Sequence, residues 1–280
     1  MTTTLINVAC ELDYTVETPT TFVFSIVPAK TDFQNLQQEA LTVTPFIPVE
    51  WLDVGEFGSR LVRFQAQPGP LTVEYNASVN LMPVKDQTPQ LQEVSYGILP
   101  PEVLPYLNPS RYCESDLLSG FAYKEFGSLP MGYERVKAIT DWVYNNIDYV
   151  SGSTDAFSTA CDVLLQRAGV CRDFAHLSIS FCRALGIPAR YVAGYAPELQ
   201  PPDFHGFFEA YLDNKWYLFD ATRLAPVSGF TRIGTGRDAA DASFATIVGK
   251  ATMTGMMVSA VTASGQSIEE TGEAVSTAAE

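Results

Sequence analysis

The chain has 280 residues, of which 46% are hydrophobic and 12% aromatic, so it can bury one large core or two modest ones. Its formal net charge of -15 argues against binding to a nucleic-acid backbone, which requires clustered Lys and Arg. We see no secretory signal pattern at the N-terminus and no run of about 18 apolar residues. We therefore expect a soluble, cytoplasmic protein without nucleic-acid or membrane partners.

The cysteines are too few and too irregularly spaced for a disulfide scaffold, and their odd number leaves at least one thiol free. They are Cys10, Cys113, Cys161, Cys171 and Cys182. A zinc site needs CxxC pairs or closely spaced His and Cys, but the sequence has no CxxC and only two histidines. We expect a reducing compartment, no metal and no other cofactor.

The first third of the chain has the alternating pattern of β-strands. From Leu71 to Leu81 every second residue is apolar, which predicts a half-buried strand. Residues 62–66 alternate in the same way, and Pro68-Gly69-Pro70 lies between the two runs, which predicts a hairpin. Further short strand candidates are 21–27 and 41–44. We predict an antiparallel β-sandwich over residues 1–98.

The pattern changes after Pro100-Pro101, where a second domain is predicted over residues 99–250. Apolar residues then recur at helical spacing, as at Val136, Ile139, Val143 and Ile147. Residues 251–280 are rich in Ala, Ser, Thr and Gly, and in this segment only 256–261 is a candidate strand. We expect these last residues to form a loosely ordered strand or tail.

Cys171 is the first candidate for a chemical role. It lies in the segment Gly169–Leu177 (GVCRDFAHL), which opens a helix that Gly186 and Pro188 end. Unpaired N–H groups and the dipole at a helix N-terminus favour a thiolate, and the same N–H groups can stabilise an oxyanion. Asp173 opposes the thiolate unless its carboxylate turns aside to cap N–H groups. The alternative is that Cys171 is a small buried residue without chemistry.

A base and a carboxylate lie downstream of this helix. His205 begins one predicted strand and Asp220 ends the next, and a catalytic imidazole needs a carboxylate to hold its tautomer and orientation. A two-residue turn at Asn214-Lys215 places Asp220 opposite Glu209. His205 then lies roughly 13 Å away along the strand, so the pairing requires a shifted register, a bulge or strong twist.

The other candidate residues near Cys171 are better explained as structural. Five residues along a helix rotate His176 about 140 degrees away from Cys171, which favours a structural role. Cys182 lies about three turns further along among apolar neighbours, which indicates a core position. Cys161-Asp162 lies just upstream and is a candidate for lining the site. The sequence does not identify a second oxyanion donor.

These motifs resemble those of bacterial proteins of the transglutaminase-like superfamily, which are described as cysteine proteases. The resemblance rests on the nucleophile segment, on Leu185–Tyr195 (LGIPARYVAGY), and on His205 and Asp220, and it covers most of residues 100–230. It implies an α+β chain in which the β-sandwich precedes a papain-like core, with a nucleophile helix packed on an antiparallel sheet.

Carried over to this chain, the resemblance implies roles for three residues. Cys171 is the nucleophile, His205 the general base and acid, and Asp220 the orienting carboxylate. Gly206-Phe207 stands where Ala-Trp is common after the histidine, and Ala221 stands where Pro often follows the aspartate. These two departures leave the three roles intact and affect the cleft wall and substrate preference.

Three functions fit this pattern. We favour acyl transfer from a peptide or amide through a thioester that water resolves, as in a cysteine protease or amidase. The alternatives are crosslinking, in which an amine resolves the thioester, and a non-catalytic module that binds a peptide or glycan. Because Glu198 and Asp203 lie close to His205 in the sequence, we expect neutral or cationic peptide or protein substrates rather than acidic ones. The oligomeric state is not indicated.

Overall fold

The computed structural model describes residues 3–55 and 57–278 of the chain. Strands dominate the N-terminal part. They are β1 (Thr4–Val16), β2 (Thr20–Phe24), β3 (Gln34–Thr44), β4 (Glu50–Val54), β5 (Ser59–Ala66), β6 (Gly69–Leu81) and β7 (Val84–Asp86).

Helices and strands alternate in the middle of the chain, and strands end it. The middle elements are α1 (Ser119–Phe126), α2 (Tyr133–Asn146), β8 (Asp148–Tyr149), α3 (Ala160–Gln166), β9 (Ala168–Gly169), α4 (Cys171–Ala184), β10 (Ala189–Tyr195), β11 (Phe204–Leu212), β12 (Lys215–Phe219) and β13 (Thr231–Gly236). The C-terminal strands are β14 (Ala245–Val248), β15 (Ala251–Thr262) and β16 (Ala274–Ser276).

Two antiparallel sheets, in the orders β15-β1-β6-β3 and β14-β2-β5-β4, form the N-terminal sandwich. Their inward side chains share one apolar core that includes Leu12, Phe22, Phe64 and Val73. In β6 the alternating residues from Leu71 to Leu81 are buried, as the sequence pattern predicts.

The predicted hairpin between β5 and β6 is wrong. Strand β5 pairs with β2 and β4, whereas β6 pairs with β1 and β3, so the Pro68-Gly69-Pro70 segment carries the chain from one sheet to the other. Gly69 has a φ of +140°, which suits glycine at this crossing. Strands in facing sheets bury alternate residues just as paired strands do, so the pattern alone does not distinguish the two arrangements.

The second sheet system has the antiparallel order β12-β11-β10-β13, and helix α4 packs against β10 and β11. The other helices surround α4, so almost all of its side chains beyond the first turn are buried, including the predicted inward residues Phe174, Leu177 and Phe181. Within the described ranges, no helix has the length and apolar character needed to span a bilayer. The packing of α4, which begins at Cys171, against the antiparallel sheet is the arrangement that the resemblance implies.

A buried charge network joins three strands of this sheet. Glu209 on β11 is fully buried and accepts hydrogen bonds from Arg190 on β10, at 2.7 Å, and from Arg232 on β13. Burial by itself raises the pKa of Glu209, but the two guanidinium groups hold this pKa at about 2. The Arg190 guanidinium also lies 4.0 Å from the centroid of the Trp216 ring. The network fixes the alignment of the three strands.

The expectation of a loosely ordered C-terminal segment at residues 251–280 is wrong for its described part. Strand β15 pairs with β1 along its whole length, from Val16 opposite Ala251 to Ile6 opposite Thr262. Strand β14, which falls inside the predicted second domain of residues 99–250, pairs with β2 of the sandwich. Strand β16 is buried and pairs with β7. Backbone pairing with β1, β2 and β7 stabilises these strands.

Substitutions in β15 should distinguish a strand that packs on the sandwich from a loosely ordered tail. Val258 is 8% exposed and contributes to the sandwich core, whereas its neighbour Met257 is 64% exposed. Val258→Thr should lower the free energy of unfolding by about 1–3 kcal/mol, because it buries a hydroxyl without a partner. Met257→Thr should change it by less than about 0.5 kcal/mol. Urea denaturation measures both, and equal effects would contradict the docked strand.

Candidate active site

Cys171 is the first residue of α4, where the sequence predicts the helix to begin. The short parallel pair β8 and β9 lies just before it, with Tyr149 opposite Gly169. The Cys171 side chain is partly exposed, so a substrate can reach the thiol while the helix N-terminus lies beneath it. The unpaired N–H groups at this end of the helix favour negative charge on the sulfur.

The Asp173 carboxylate turns toward the helix cap. One oxygen accepts hydrogen bonds from the Val170 N–H, at 2.9 Å, and the Thr154 hydroxyl, at 2.5 Å. The other oxygen accepts from the Arg172 guanidinium at 2.9 and 3.1 Å. Arg172 offsets the negative charge, and the capping bonds orient it, so Asp173 stabilises the helix start on which Cys171 lies.

The hairpin that carries His205 turns one residue earlier than the sequence analysis assumed. Asp213 and Asn214 both have positive φ, at +46° and +63°, as a two-residue type I′ turn requires, whereas Lys215 begins β12. Leu212 therefore pairs with Lys215, and the last pair of this register is Phe208 with Phe219. One step further along the strands, Asp220 lies across from position 207. His205 is then one diagonal step away, and the expected separation of four residues is wrong.

His205 and Asp220 form a direct hydrogen bond. The His205 Nε2 lies 2.8 Å from the Asp220 Oδ2, and both side chains are buried. The Thr222 backbone N–H and hydroxyl donate to Asp220 at 2.9 and 2.8 Å, which fixes the orientation of the carboxylate. On the other side, the edge of the Phe230 ring meets the imidazole, with 5.3 Å between the ring centroids. The imidazole is thus held in one orientation.

The structure also brings Cys171 to His205. Because Nε2 is bound to Asp220, Nδ1 is the ring nitrogen left to face the sulfur, and it is buried with no hydrogen-bond partner among the described residues. Burial by itself lowers the pKa of His205, but the Asp220 carboxylate and, to a lesser degree, the Cys171 sulfur raise it to about 10. The imidazole is therefore protonated at neutral pH and can stabilise a thiolate.

His176 occupies a separate, structural position. Its Nε2 accepts a hydrogen bond from the Ala239 N–H at 3.1 Å, and its ring stacks on Tyr112 with centroids 5.1 Å apart. Burial, together with Arg172 and Arg183, lowers the pKa of His176 well below its usual value. It remains a neutral acceptor, in line with the prediction from its helical position.

The remaining cysteines do not share the environment of Cys171. Cys182 is fully buried, and burial raises the pKa of its thiol. Cys161 is partly exposed, but burial and the Glu114 carboxylate raise its pKa to about 12. Within the described ranges, no group of three or more His, Cys, Asp or Glu is arranged to hold a metal ion.

Two tyrosines near Cys171 were missed in the sequence analysis, because neither lies in a pattern that indicates chemistry. Tyr149 lies beside Cys171, and Tyr191 on β10 packs between α4 and β11. A Cβ at Gly206 would lie 2.5 Å from the Tyr191 hydroxyl oxygen. The glycine therefore lets β11 approach the Tyr191 ring and the start of α4 closely.

The two acidic residues that the sequence places near His205 have different surroundings. Glu198 accepts a hydrogen bond from the Ile268 N–H at 2.6 Å, so its carboxylate is engaged by the C-terminal segment. Asp203 accepts from the Phe204 N–H at 2.7 Å and lies close enough to His205 to interact with it electrostatically. Asp203 is therefore the stronger candidate for an influence on substrate charge at the site.

Comparisons with known proteins identify the family of the chain. Residues 122–221 match the transglutaminase-like superfamily core, and residues 5–101 match the bacterial transglutaminase N-terminal domain. A crystal structure of a putative cysteine protease from Cytophaga hutchinsonii is 43% identical, with 99% of this chain and 98% of that chain covered and a TM-score of 0.95. The chain therefore belongs to the transglutaminase-like superfamily, and its core has the papain-like fold.

Curated relatives match a shorter part of the chain. An uncharacterised protein of Mycobacterium leprae is 33% identical over 115 residues, which cover 38% of this chain and 41% of that protein. One from Mycobacterium tuberculosis is 36% identical over 106 residues, which cover 38% of this chain and 33% of that protein. The chain thus spans less than half the length of these relatives. Membership of the superfamily supports a thiol-dependent enzyme.

The two histidines of the chain allow a direct test of the electrostatics by NMR of ¹³C-labelled imidazole rings. We expect His205 to titrate with a pKa of about 10, while His176 titrates well below the usual imidazole range. Asp220→Asn removes the main cause that raises the His205 pKa, so this pKa should fall toward 6.5. Cys171→Ala should lower it less. The His176 signal is the internal control, and an unchanged His205 titration in Asp220→Asn would contradict the pairing.

Proposed function

We propose that the chain is an acyl-transfer enzyme that hydrolyses peptide or amide bonds with Cys171, His205 and Asp220. The observation that carries the proposal is the buried His205 ring, which is bound through Nε2 to Asp220 and faces Cys171 at the N-terminus of α4. Nucleophile, base and orienting carboxylate are thereby adjacent, as covalent acyl transfer requires.

The proposed reaction has two halves. The Cys171 thiolate attacks the amide carbonyl carbon, a C–S bond forms, and the carbonyl π electrons move to the oxygen. When this intermediate collapses, the C–N bond breaks and His205 gives its Nδ1 proton to the leaving amine, which leaves a thioester. His205 then takes a proton from water as the oxygen of that water attacks the thioester. Collapse of the second intermediate releases the acid and restores the thiolate and imidazolium.

Asp220 acts throughout by orientation and charge. Its hydrogen bond to Nε2 fixes the tautomer, so Nδ1 carries the exchanged proton, and its charge stabilises the imidazolium. Thr222 holds the carboxylate in place during both halves. We favour water as the acceptor, and the partly exposed Cys171 is accessible to it.

The first test compares wild type with Cys171→Ala on libraries of peptide and isopeptide substrates, with mass detection of products. We expect the wild type to form free acid and amine from a subset of substrates, and Cys171→Ala to lose at least about 10³-fold of this rate. Cys161→Ala, which removes a thiol beside Glu114, is the matched control and should retain activity. If the products are instead joined to an added amine, the reaction is crosslinking rather than hydrolysis. Equal retention of peptides without turnover by wild type and Cys171→Ala would favour a binding module and overturn the proposal.

A second test concerns substrate charge. Because Asp203 lies near His205, it should disfavour acidic side chains next to the scissile bond. We expect Asp203→Asn to raise kcat/KM for acidic peptides relative to neutral ones. Glu198→Gln is the matched control and should leave this ratio unchanged, since the Glu198 carboxylate binds the Ile268 N–H. Faster turnover of acidic than of neutral peptides by the wild type would contradict this role.

A further inference from the structure

The phenol of Tyr149 is held at the N-terminus of α4 by two independent contacts. The pairing of β8 with β9 sets Tyr149 opposite Gly169, two residues before Cys171, and the Val150 N–H donates to the Gly169 carbonyl at 2.9 Å. The ring packs against Phe174 in the first turn of α4, with centroids 5.7 Å apart. The backbone and the ring contact together direct the hydroxyl toward Cys171.

The Tyr149 hydroxyl interacts with both the sulfur and the backbone N–H group of Cys171. It therefore lies close to the N–H group at which an oxyanion would form during attack by the sulfur. This position is at the opening of the site, because the Tyr149 ring is 45% exposed and Cys171 is partly exposed.

We propose that the Tyr149 hydroxyl is the second donor of the oxyanion site and acts beside the backbone N–H of Cys171. This inference rests on the proposed acyl transfer at Cys171. It assigns to Tyr149 the role of second oxyanion donor, for which the nucleophile motif identifies no residue.

The movement of charge during the reaction explains how the Tyr149 hydroxyl can interact first with the thiolate and then with the oxyanion. Before attack, the thiolate of the proposed reaction carries the negative charge, and the Tyr149 hydroxyl lies close enough to interact with it. When the C–S bond forms, the sulfur becomes neutral and the charge moves to the carbonyl oxygen. The Tyr149 O–H then donates to this oxygen, and the Cys171 N–H is the other donor. When the C–N bond breaks, the electrons return to the carbonyl and no proton leaves Tyr149.

The surroundings also keep Tyr149 a donor at neutral pH. Burial and the neighbouring Cys171 sulfur raise the pKa of the phenol above its ordinary value. The hydroxyl therefore retains its proton when His205 is protonated and Cys171 is a thiolate. The Tyr191 hydroxyl is a weaker candidate, because it is wedged at Gly206 on the sheet side.

The experiment compares two reactions of the same thiol in the full chain. p-Nitrophenyl acetate acylates Cys171 through an oxyanion, whereas iodoacetamide alkylates it by displacement at a saturated carbon, without one. We expect Tyr149→Phe to slow acylation about 100-fold, the effect of losing one oxyanion donor. Alkylation should stay close to the wild-type rate, which also reports that the site is folded. Tyr123→Phe, an exposed tyrosine on α1, is the matched control and should change neither rate.

Two results would overturn the assignment of Tyr149. A parallel loss in both reactions would show that the hydroxyl acts on the thiolate, and unchanged acylation would show that it does not bind the oxyanion. The ester makes the outcome distinct from that of the proposed function. A wild type that is acylated at Cys171 but cleaves no peptide or amide refutes the proposed hydrolysis, while the ratio of the two rates still decides the role of Tyr149.

Discussion

The buried glutamate at the centre of the core sheet is the constraint on which the candidate site depends. Glu209 on β11 pairs with Arg190 on the adjacent β10 and with Arg232 on β13, the strand beyond β10, and removing one partner of such a pair costs about 3–5 kcal/mol. The β10–β11 register that sets Arg190 opposite Glu209 also sets Gly194 opposite His205. A slip of one residue would unpair the buried charges and turn the imidazole to the other face of the sheet. The charges therefore specify where His205 lies as well as stabilising the sheet.

Electrostatics at the site combine contributions from separate elements. The start of α4 provides N–H groups for Cys171, the hairpin provides an imidazole whose charge Asp220 maintains, and Asp173 is turned to the helix cap. Each contribution favours the ion pair of thiolate and imidazolium over the neutral pair.

The sequence predicted those parts of the structure that depend on local chemistry. The helix that begins at Cys171 follows from its apolar spacing and its stop signals, and the burial of β6 follows from strict alternation. The turn at Asp213-Asn214 was also within reach, because both residue types tolerate positive φ better than Lys215 does. Pairing between distant segments was not. The sequence indicated a strand at 256–261, within β15, but its partner β1 was not predictable, because β15 exposes most of its side chains and is held by backbone bonds.

The sandwich contributes to the site through the strands that it supports. The Tyr195 hydroxyl donates to the Ile26 carbonyl at 2.6 Å, and the Arg232 N–H donates to the Gln34 side chain at 2.8 Å. Tyr195 and Ile233 also pack into the sandwich core, so β10 and β13 are anchored in the N-terminal domain. Since β10 pairs with the strand that carries His205, and Gly194 lies directly opposite that residue, the sandwich fixes one wall of the site. A rigid backbone at this position lets a buried imidazole keep its orientation toward both Asp220 and Cys171.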